Sequence, residues 1–305
     1  MRRIALLAAV FASCAAHAGP ATLGLDASLN LLALGNMAVT SSDVEGRVAV
    51  GGNASISGYS INTKGGGSAL YEGTGLIVGG NLSFTSGTIW GGVQVGGSYT
   101  PSQSGSVLGG GVQSGQGMDF AAERARLAAL SQQWDAMANT GSAYLQWSTL
   151  HFDATGQTLA VFDIQAADLK KNMQIDGLAA GAQVLINVHG SAVDFGNHGY
   201  DGFALGQVIF NLVDATDVLL NGGINASLLA LDATVNQGWG QINGQVVVNN
   251  WYTSMQVNDA PIPGTTSQPP QEPPKTTQNL PEPGSLALAG LALAGLLAAR
   301  RRTRG

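Results

Sequence analysis

The sequence has almost no cysteine and few charged residues. Its one cysteine, Cys14, lies close to the N-terminus, so the remainder offers no disulfide, no thiolate metal site and no cysteine nucleophile. Only 10% of the residues are charged, and between residues 19 and 260 six basic residues face seventeen acidic ones. This balance argues against nucleic acid as a partner. No Gly-x-Ser-x-Gly or His-Glu-x-x-His motif occurs, and we expect no enzymatic activity.

The first eighteen residues have the layout of a secretory signal peptide. Two arginines precede an apolar segment that ends at Ala16, and Ala16 and Ala18 form a small-x-small site before Gly19. The apolar segment is shorter than the ~20 residues that a membrane-spanning helix needs. We therefore predict that signal peptidase removes residues 1–18. Lipidation of Cys14 is the alternative.

The C-terminal region has a different composition from the rest. Eight of the ten prolines lie between residues 260 and 283, which predicts an extended linker over 259–283. The sequence Pro281-Glu282-Pro283 ends this linker, and an apolar stretch over 285–299 comes next. A basic cluster closes the chain and includes Arg300, Arg301 and Arg302.

These elements resemble the PEP-CTERM sorting signal over residues 281–305. The resemblance implies a membrane helix over 285–299 that anchors the precursor transiently in the inner membrane, with its arginines in the cytoplasm. It also implies cleavage by an exosortase-type peptidase and delivery to the cell surface or a secreted matrix. A permanent tail anchor is the alternative.

Three similar segments repeat early in the chain, each a short apolar run followed by Gly-Gly and a small polar residue. They begin at Gly46, Gly75 and Gly92. Such a pattern is typical of a strand that stops at a sharp corner. Further strands are predicted over 158–164, 183–188, 208–212, 227–231 and 245–249. Units of roughly 17 to 20 residues predict a mainly β fold, a right-handed parallel β-solenoid over residues 19–258. An antiparallel sandwich is the alternative.

One long helix is predicted over about 119–138. Its apolar residues recur at helical spacing, and Asp119 is a suitable N-cap. These apolar residues are Phe120, Leu127, Leu130, Trp134 and Met137. We expect this stripe to pack along the flank of the β fold.

Two segments of the body carry a further resemblance. Residues 36–53, and then residues 227–235 with 241–247, are similar to the opening and the close of the choice-of-anchor A domain. The family typically has a proline where this chain has Leu231. The resemblance implies an extracellular domain, linked in some members to adhesion. We expect an extracellular polysaccharide or a surface protein as its ligand. We predict a non-enzymatic binding or structural role. A polysaccharide-active enzyme on the same scaffold and an ice-binding protein are the alternatives.

Asp43 and Glu45 are one candidate for cation binding. They lie two residues apart, hence on one face if the segment is a strand, and paired carboxylates can bind Ca²⁺ or transfer protons. The alternative is that Asp43 caps a corner and Arg47 neutralises Glu45. We expect no cofactor, with Ca²⁺ as the open alternative.

His189 and His198 are the second candidate. They lie with Asp194 and Asp201 within thirteen residues, and imidazole and carboxylate groups are common metal ligands. The bland interpretation is exposed polar surface in a loop rich in glycine and asparagine.

Overall fold

The computed structural model describes residues 21–66 and 73–262. The predicted signal peptide, the sorting tail with its predicted membrane helix over 285–299 and most of the predicted linker lie outside the described residues. The chain divides into two compact units, Met1–Ser267 and Gln268–Gly305, and the structure that follows is that of the first. Within the described ranges, no helix has both the length and the apolar character that crossing a membrane requires.

The fold is mainly β. Among residues 21–66 and 73–262, one α-helix, α1, spans Phe120–Asp135, and two short 3-10 helices span Thr63–Gly66 and Ala166–Lys170. The strands are β1 (Leu29–Ala33), β2 (Met37–Thr40), β3 (Asp43–Val44), β4 (Arg47–Val50), β5 (Ala54–Ser57), β6 (Ser60–Ile61), β7 (Thr74–Val78), β8 (Leu82–Trp90), β9 (Gly92–Val95), β10 (Tyr99–Leu108), β11 (Val112–Ser114), β12 (Ala143–Gln146), β13 (Thr149–Asp153), β14 (Leu159–Gln165), β15 (Asn172–Asp176), β16 (Gln183–His189), β17 (Ala192–Phe195), β18 (Tyr200–Asp201), β19 (Val208–Leu212), β20 (Asp217–Asn221), β21 (Ser227–Trp239), β22 (Gln241–Asn243), β23 (Val246–Trp251) and β24 (Gln256–Asn258).

The first ladder is a stack of ten strands that pair only in parallel. Their order is β14, β16, β19, β21, β23, β1, β4, β7, β9 and β11. The three Gly-Gly segments supply the neighbours β4, β7 and β9, and all five strands predicted later in the chain lie in this ladder. The predicted parallel pairing is therefore confirmed, and an antiparallel sandwich does not describe this ladder.

The order of the strands in this ladder differs from their order in the sequence. Leu31 on β1 pairs with Val48 on one side and with Val246 on the other, so the last long strand lies beside the first. Val48 pairs with Leu76, and Leu76 pairs with Val93. The number of residues between the first two partners is therefore much larger than the number between the second two. The repeat is thus uneven in length, as is the spacing of the three Gly-Gly segments in the sequence.

Two further sets of strands complete the β structure. The second ladder runs β17, β20, β21, β23, β2, β5, β8 and β10. A third set joins β22, β24, β3, β6 and β8, and a separate sheet has the order β12, β13, β15, β18. Inward side chains from all of them fill one core, which includes the fully buried Phe84, Phe162, Phe195, Phe210 and Trp251.

Glycine is required at the corners after β4, β7 and β9, because neighbouring corners lie very close. A Cβ atom on Gly79 would lie 2.4 Å from the carbonyl oxygen of Gly51, and one on Gly96 would lie 2.3 Å from that of Gly79. Real Cβ atoms do not approach a carbonyl oxygen so closely. The backbones themselves are joined there, since the N–H of Gly80 donates to the carbonyl of Gly52 at 2.8 Å.

Asparagine side chains link the same corners. Asn36 Oδ1 accepts from the backbone N–H of Asn53, and Asn53 Oδ1 accepts from that of Asn81. Asn81 Oδ1 in turn accepts from the N–H of Ser98 at 2.8 Å, while Asn250 Oδ1 accepts from the N–H of Asn36 at 2.8 Å. Each amide therefore satisfies a backbone donor of the next strand unit, which is what buried or crowded backbone groups need.

The helix α1 packs on the outer side of the first ladder, as the sequence predicts. Asp119 caps it and accepts from the N–H of Ala122 at 2.9 Å. Leu127 and Trp134 are buried against the ladder. Their partners there are Leu32, Ala49, Ile77, Val161, Leu185, Ile209, Leu229 and Val247.

The helix ends at Asp135, three residues before the predicted end. The chain leaves it because Thr140 bonds to Val161 on β14: its N–H donates to the carbonyl of Val161, and its Oγ1 accepts the N–H of Val161 at 2.8 Å.

A buried row of polar side chains fixes the helix on the ladder. Ser131 Oγ donates to Asn211 Oδ1 at 2.7 Å, and Asn211 Nδ2 donates to Asn187 Oδ1 at 2.9 Å. Asn187 Nδ2 donates to the carbonyl of Trp134 and to Asp163 Oδ1. Because Asn187 and Asn211 are fully buried, any other position of the helix would leave these groups without partners.

We expect Gly79→Ala to lower the free energy of unfolding by about 1–3 kcal/mol, because its Cβ overlaps the carbonyl oxygen of Gly51. The matched control is Gly223→Ala, whose Cβ would have no neighbour nearer than 3.9 Å. Urea unfolding of the purified protein measures both. Equal stability of the two variants would contradict the assignment of Gly79 to a corner that admits only glycine.

Candidate functional site

The outer side of the second ladder carries rows of short, uncharged side chains. Ala38 pairs with Ser55, Ser55 with Ser83, and Ser83 with Thr100, and all four are exposed. We call the surface formed by Ala38, Thr40, Ser55, Ser57, Ser83, Thr85 and Thr100 the hydroxyl face. Alternate residues of the same strands are buried, as in a half-buried sheet.

The geometry of the hydroxyl face follows from the strands that carry it. Neighbouring strands lie ~4.8 Å apart and alternate residues of one strand ~6.6 Å apart, so the side chains form a two-dimensional grid. A shallow depression on it is lined by Ala38, Ser55, Ser83 and Thr100 together with Tyr252, which is 37% exposed. The seven residues bear no charge, so the face can contact an extended surface without desolvating ions.

The other end of the second ladder is different in charge. Asp194 and the exposed Asp217 line a shallow pocket there, together with Leu219, which pairs with Asp194. Lys170 Nζ lies 3.1 Å from Asp194 Oδ2. The polar character of the ladder therefore changes from acidic to hydroxylic along its length.

The predicted carboxylate pair is not held as a pair. Asp43 Oδ2 accepts from Thr63 Oγ1 at 3.2 Å, whereas Glu45 Oε2 lies 2.6 Å from Lys64 Nζ. The expected neutralisation of Glu45 by Arg47 is wrong. Arg47 instead binds Asp26, at 2.9 Å, because β4 pairs with β1 and the corner before β1 carries Asp26.

The two histidines predicted as one site have different neighbours in the structure. His198 Nε2 lies 2.6 Å from the carbonyl oxygen of Leu169, and its ring packs on Tyr200 at 4.8 Å. His189 lies instead beside three carboxylates: its Nε2 is 3.5 Å from Asp135, and its Nδ1 is 3.8 Å from Asp214. Asp163 completes the group, and Asp194 and Asp201 are not part of it.

The group around His189 could hold a divalent cation. Ligand atoms of Asp135, Asp163 and His189 all lie within 4.8 Å of one another. No lysine or arginine among the described residues forms an ion pair with Asp135, Asp163 or Asp214, and Asp135 ends α1, where the helix dipole disfavours a negative charge. Metal binding at His189 stays a prediction, as does Ca²⁺ binding at Asp43 and Glu45.

Sequence reasoning missed Asp135 and Asp163 because they lie far from His189 along the chain. The register of β14 with β16 brings Asp163 beside Asn187, two residues before His189. A sequence signal for the site exists only once that register is known.

Comparisons with known proteins add two families. The description "Putative Ice-binding-like adhesive domain" belongs to a family that matches residues 22–259. The description "PEP-CTERM protein-sorting motif" belongs to a family that matches residues 279–302. No curated protein matches the chain.

One solved structure is similar at low identity. It is the crystal structure of an ice-binding protein from the Antarctic ascomycete Antarctomyces psychrotrophicus, at 11% identity and a TM-score of 0.26. The match covers 80% of this chain and 97% of that one. A likeness at this level carries no argument about fold or function.

The carboxyl group of Asp259 should make the stability of the fold depend on pH. Burial raises the pKa of Asp259, Lys64 opposes this and Glu45 adds to it. Its Oδ1 is buried without a hydrogen-bond partner among the described residues. The raised pKa means that the fold favours the protonated form, so this stability is present below the ordinary value near ~3.9 and is lost as the pH rises through the raised value.

We therefore expect Asp259→Asn to raise the free energy of unfolding at neutral pH, on the order of a few tenths of a kcal/mol because the site is partly solvated. The gain should vanish in acid. Urea unfolding between pH 3 and pH 7 measures it, and Asp201→Asn on β18 controls for the loss of one negative charge. A variant less stable than the parent at neutral pH would refute this account of Asp259.

Proposed function

Because the chain belongs to the family of ice-binding-like adhesive domains, we propose that it is an adhesin whose hydroxyl face attaches to an extended, ordered surface. The chain is a secreted, non-enzymatic surface protein with a PEP-CTERM sorting signal. That signal indicates export and a membrane-anchored precursor processed by an exosortase. The ligand and the binding face are the parts that we propose.

The proposed route starts at the N-terminus. Signal peptidase cuts after Ala18, and the apolar stretch 285–299 then holds the precursor in the inner membrane until an exosortase acts at Pro281-Glu282-Pro283. The proline-rich linker over 259–283 keeps this motif accessible. The resemblance to the choice-of-anchor A domain over the body supports the same route, since that family is defined by interchangeable anchors.

We further propose that the body, residues 19–258, is a right-handed parallel β-solenoid. Three sets of parallel strands surround one core, and β8, β21 and β23 each pass from one set to the next. A solenoid is stiff because each strand inside a stack is bonded to a neighbour on either side. The rigidity suits a face that must match a surface without rearranging.

The observation that carries the proposal is the grid of the hydroxyl face. Ser55, Ser83 and Thr100 each place one hydroxyl at the same position of successive strands. A rigid grid loses little conformational entropy on contact, so many weak hydrogen bonds can add up. An insoluble polysaccharide of the extracellular matrix offers hydroxyls in such an array, and it is the ligand class we favour.

Ice is a second candidate for the same face. It too is a flat lattice of hydrogen-bonding oxygens, and the Ser and Thr rows on β5, β8 and β10 are the observation that favours it. A polysaccharide-active enzyme is the third class. Lys170, the basic residue that lines the pocket with Asp194 and Asp217, is bound in an ion pair with Asp194, which does not favour an enzyme there.

We expect Ser83→Tyr to weaken retention of the full chain, kept in mild detergent, on insoluble cellulose-type or chitin-type particles by about tenfold or more. The phenol ring would stand above the neighbouring hydroxyls and hold the surface away. The matched control is Ser114→Tyr on β11, which is exposed on the first ladder. Retention that both variants reduce equally would show that the hydroxyl face is not the adhesive surface.

The same variants separate the other two candidates. Ice binding would be the function if the parent protein inhibits ice recrystallisation but is not retained on the particles. That inhibition should then be lost in Ser83→Tyr and kept in Ser114→Tyr. Release of soluble sugars from the particles by the parent protein would contradict a non-enzymatic role.

A further inference from the structure

The hairpin of β12 and β13 presents a tryptophan at its tip. Gln146 pairs with Thr149, so Trp147 and Ser148 form a two-residue turn. Both have positive φ angles, 50° and 66°. Turns of this kind favour asparagine and glycine, since other residues are strained there. A large aromatic residue at this position thus opposes the backbone preference.

The same hairpin exposes more apolar surface than folding alone explains. Trp147 is 92% exposed, Leu145 58% and Tyr144 44%. β12 is also the edge strand of its sheet, and all four of its residues are exposed. Large exposed aromatic side chains on a stable element are characteristic of binding sites.

The ring of Tyr144, on the strand that leads to the Trp147-Ser148 turn, is held in a fixed orientation. Its ring stacks on His151, with the ring centres 5.0 Å apart and the planes 9° from parallel. His151 Nδ1 lies 2.8 Å from Asp176 Oδ2, and the Tyr144 hydroxyl donates to the same oxygen at 3.4 Å. Gln174 Nε2 donates to the other oxygen of Asp176 at 2.8 Å. The orientation of this ring is therefore set before any ligand arrives.

We propose that Trp147 and the Tyr144–His151 stack form a binding site for a single chain of a neutral polysaccharide. The C–H face of a sugar ring packs on an aromatic plane, while its hydroxyls bond to groups beside that plane. Asp176 and Gln174 lie beside the Tyr144–His151 stack. The carboxylate of Asp176 accepts hydrogen bonds, and the side-chain amide of Gln174 both donates and accepts them. This site is distinct from the hydroxyl face and takes a soluble chain rather than a solid surface.

Charge selects among the polymers that an exported protein meets. Asp153 lies on β13, the neighbour of β12. Asp176 lies on the next strand, β15, and Asp201 lies on β18 of the same sheet. The body as a whole has six basic and seventeen acidic residues between 19 and 260. A polyanion would be repelled by this sheet, whereas a neutral chain would not. Protein partners are less favoured because polar groups surround the Tyr144–His151 stack.

The decisive variant is Trp147→Gly. Glycine relieves the positive φ angle at the tip, so we expect the melting temperature to stay equal or rise while affinity falls. The full chain in mild detergent is titrated with soluble mannan, β-glucan and dextran by calorimetry, with alginate as the polyanion. We expect at least one neutral polymer to bind, a loss of about tenfold or more in Trp147→Gly, and partial recovery in Trp147→Phe.

Two controls define the outcome. Trp239→Ala removes another exposed tryptophan, 54% exposed on β21, and should leave the affinity unchanged. Ser83→Tyr should also leave this affinity unchanged. The proposal for the hydroxyl face and the proposal for the hairpin are thus tested independently. Binding of alginate as tight as that of the neutral polymers, no binding of any neutral polymer, or equal affinity of Trp147→Gly and the parent would each overturn the proposal.

Discussion

The close contact between successive corners is the constraint on which the rest of the structure depends. A strand that ends in Gly51 or Gly79 can lie against the next corner because neither residue has a Cβ atom. The asparagine after each of these two glycine pairs, Asn53 or Asn81, then supplies the acceptor that the next strand unit needs. This one repeated contact aligns the strands, and the alignment in turn places Ser55 and Ser83 in one row and seats α1 on an even outer surface.

The sequence predicted those elements whose signal is local. The Gly-Gly corners, the late strands and the helix capped by Asp119 each carry their own pattern, and each was found at its predicted place, although the helix ends three residues early. The insertion of β1 between β23 and β4 has no local signal, because Leu31 and Val246 come from opposite ends of the body and their pairing is chosen by the whole stack. The β12–β13 hairpin was missed for a different reason: its turn is Trp147-Ser148, not asparagine and glycine.

The surface that we assign to adhesion was hidden in the sequence by uneven spacing. Thr-x-Thr runs along one strand are absent, and the row forms instead across strands, from Ala38, Ser55, Ser83 and Thr100. The unequal numbers of residues between these positions are the same as those between the glycine corners. The row can therefore be read from the sequence only by comparing equivalent positions of successive strand units. The partners of His189 and Arg47 depend on register alone, which composition and spacing do not determine.

The position of β1 has a consequence for how the protein reaches its final shape. β1 lacks one of its two neighbours until Val246 to Val248 have been made, so the two parts of the first ladder join only when the last long strand is present. Contacts so distant in sequence form slowly. The body therefore reaches its final shape only when nearly its whole length is available to pair.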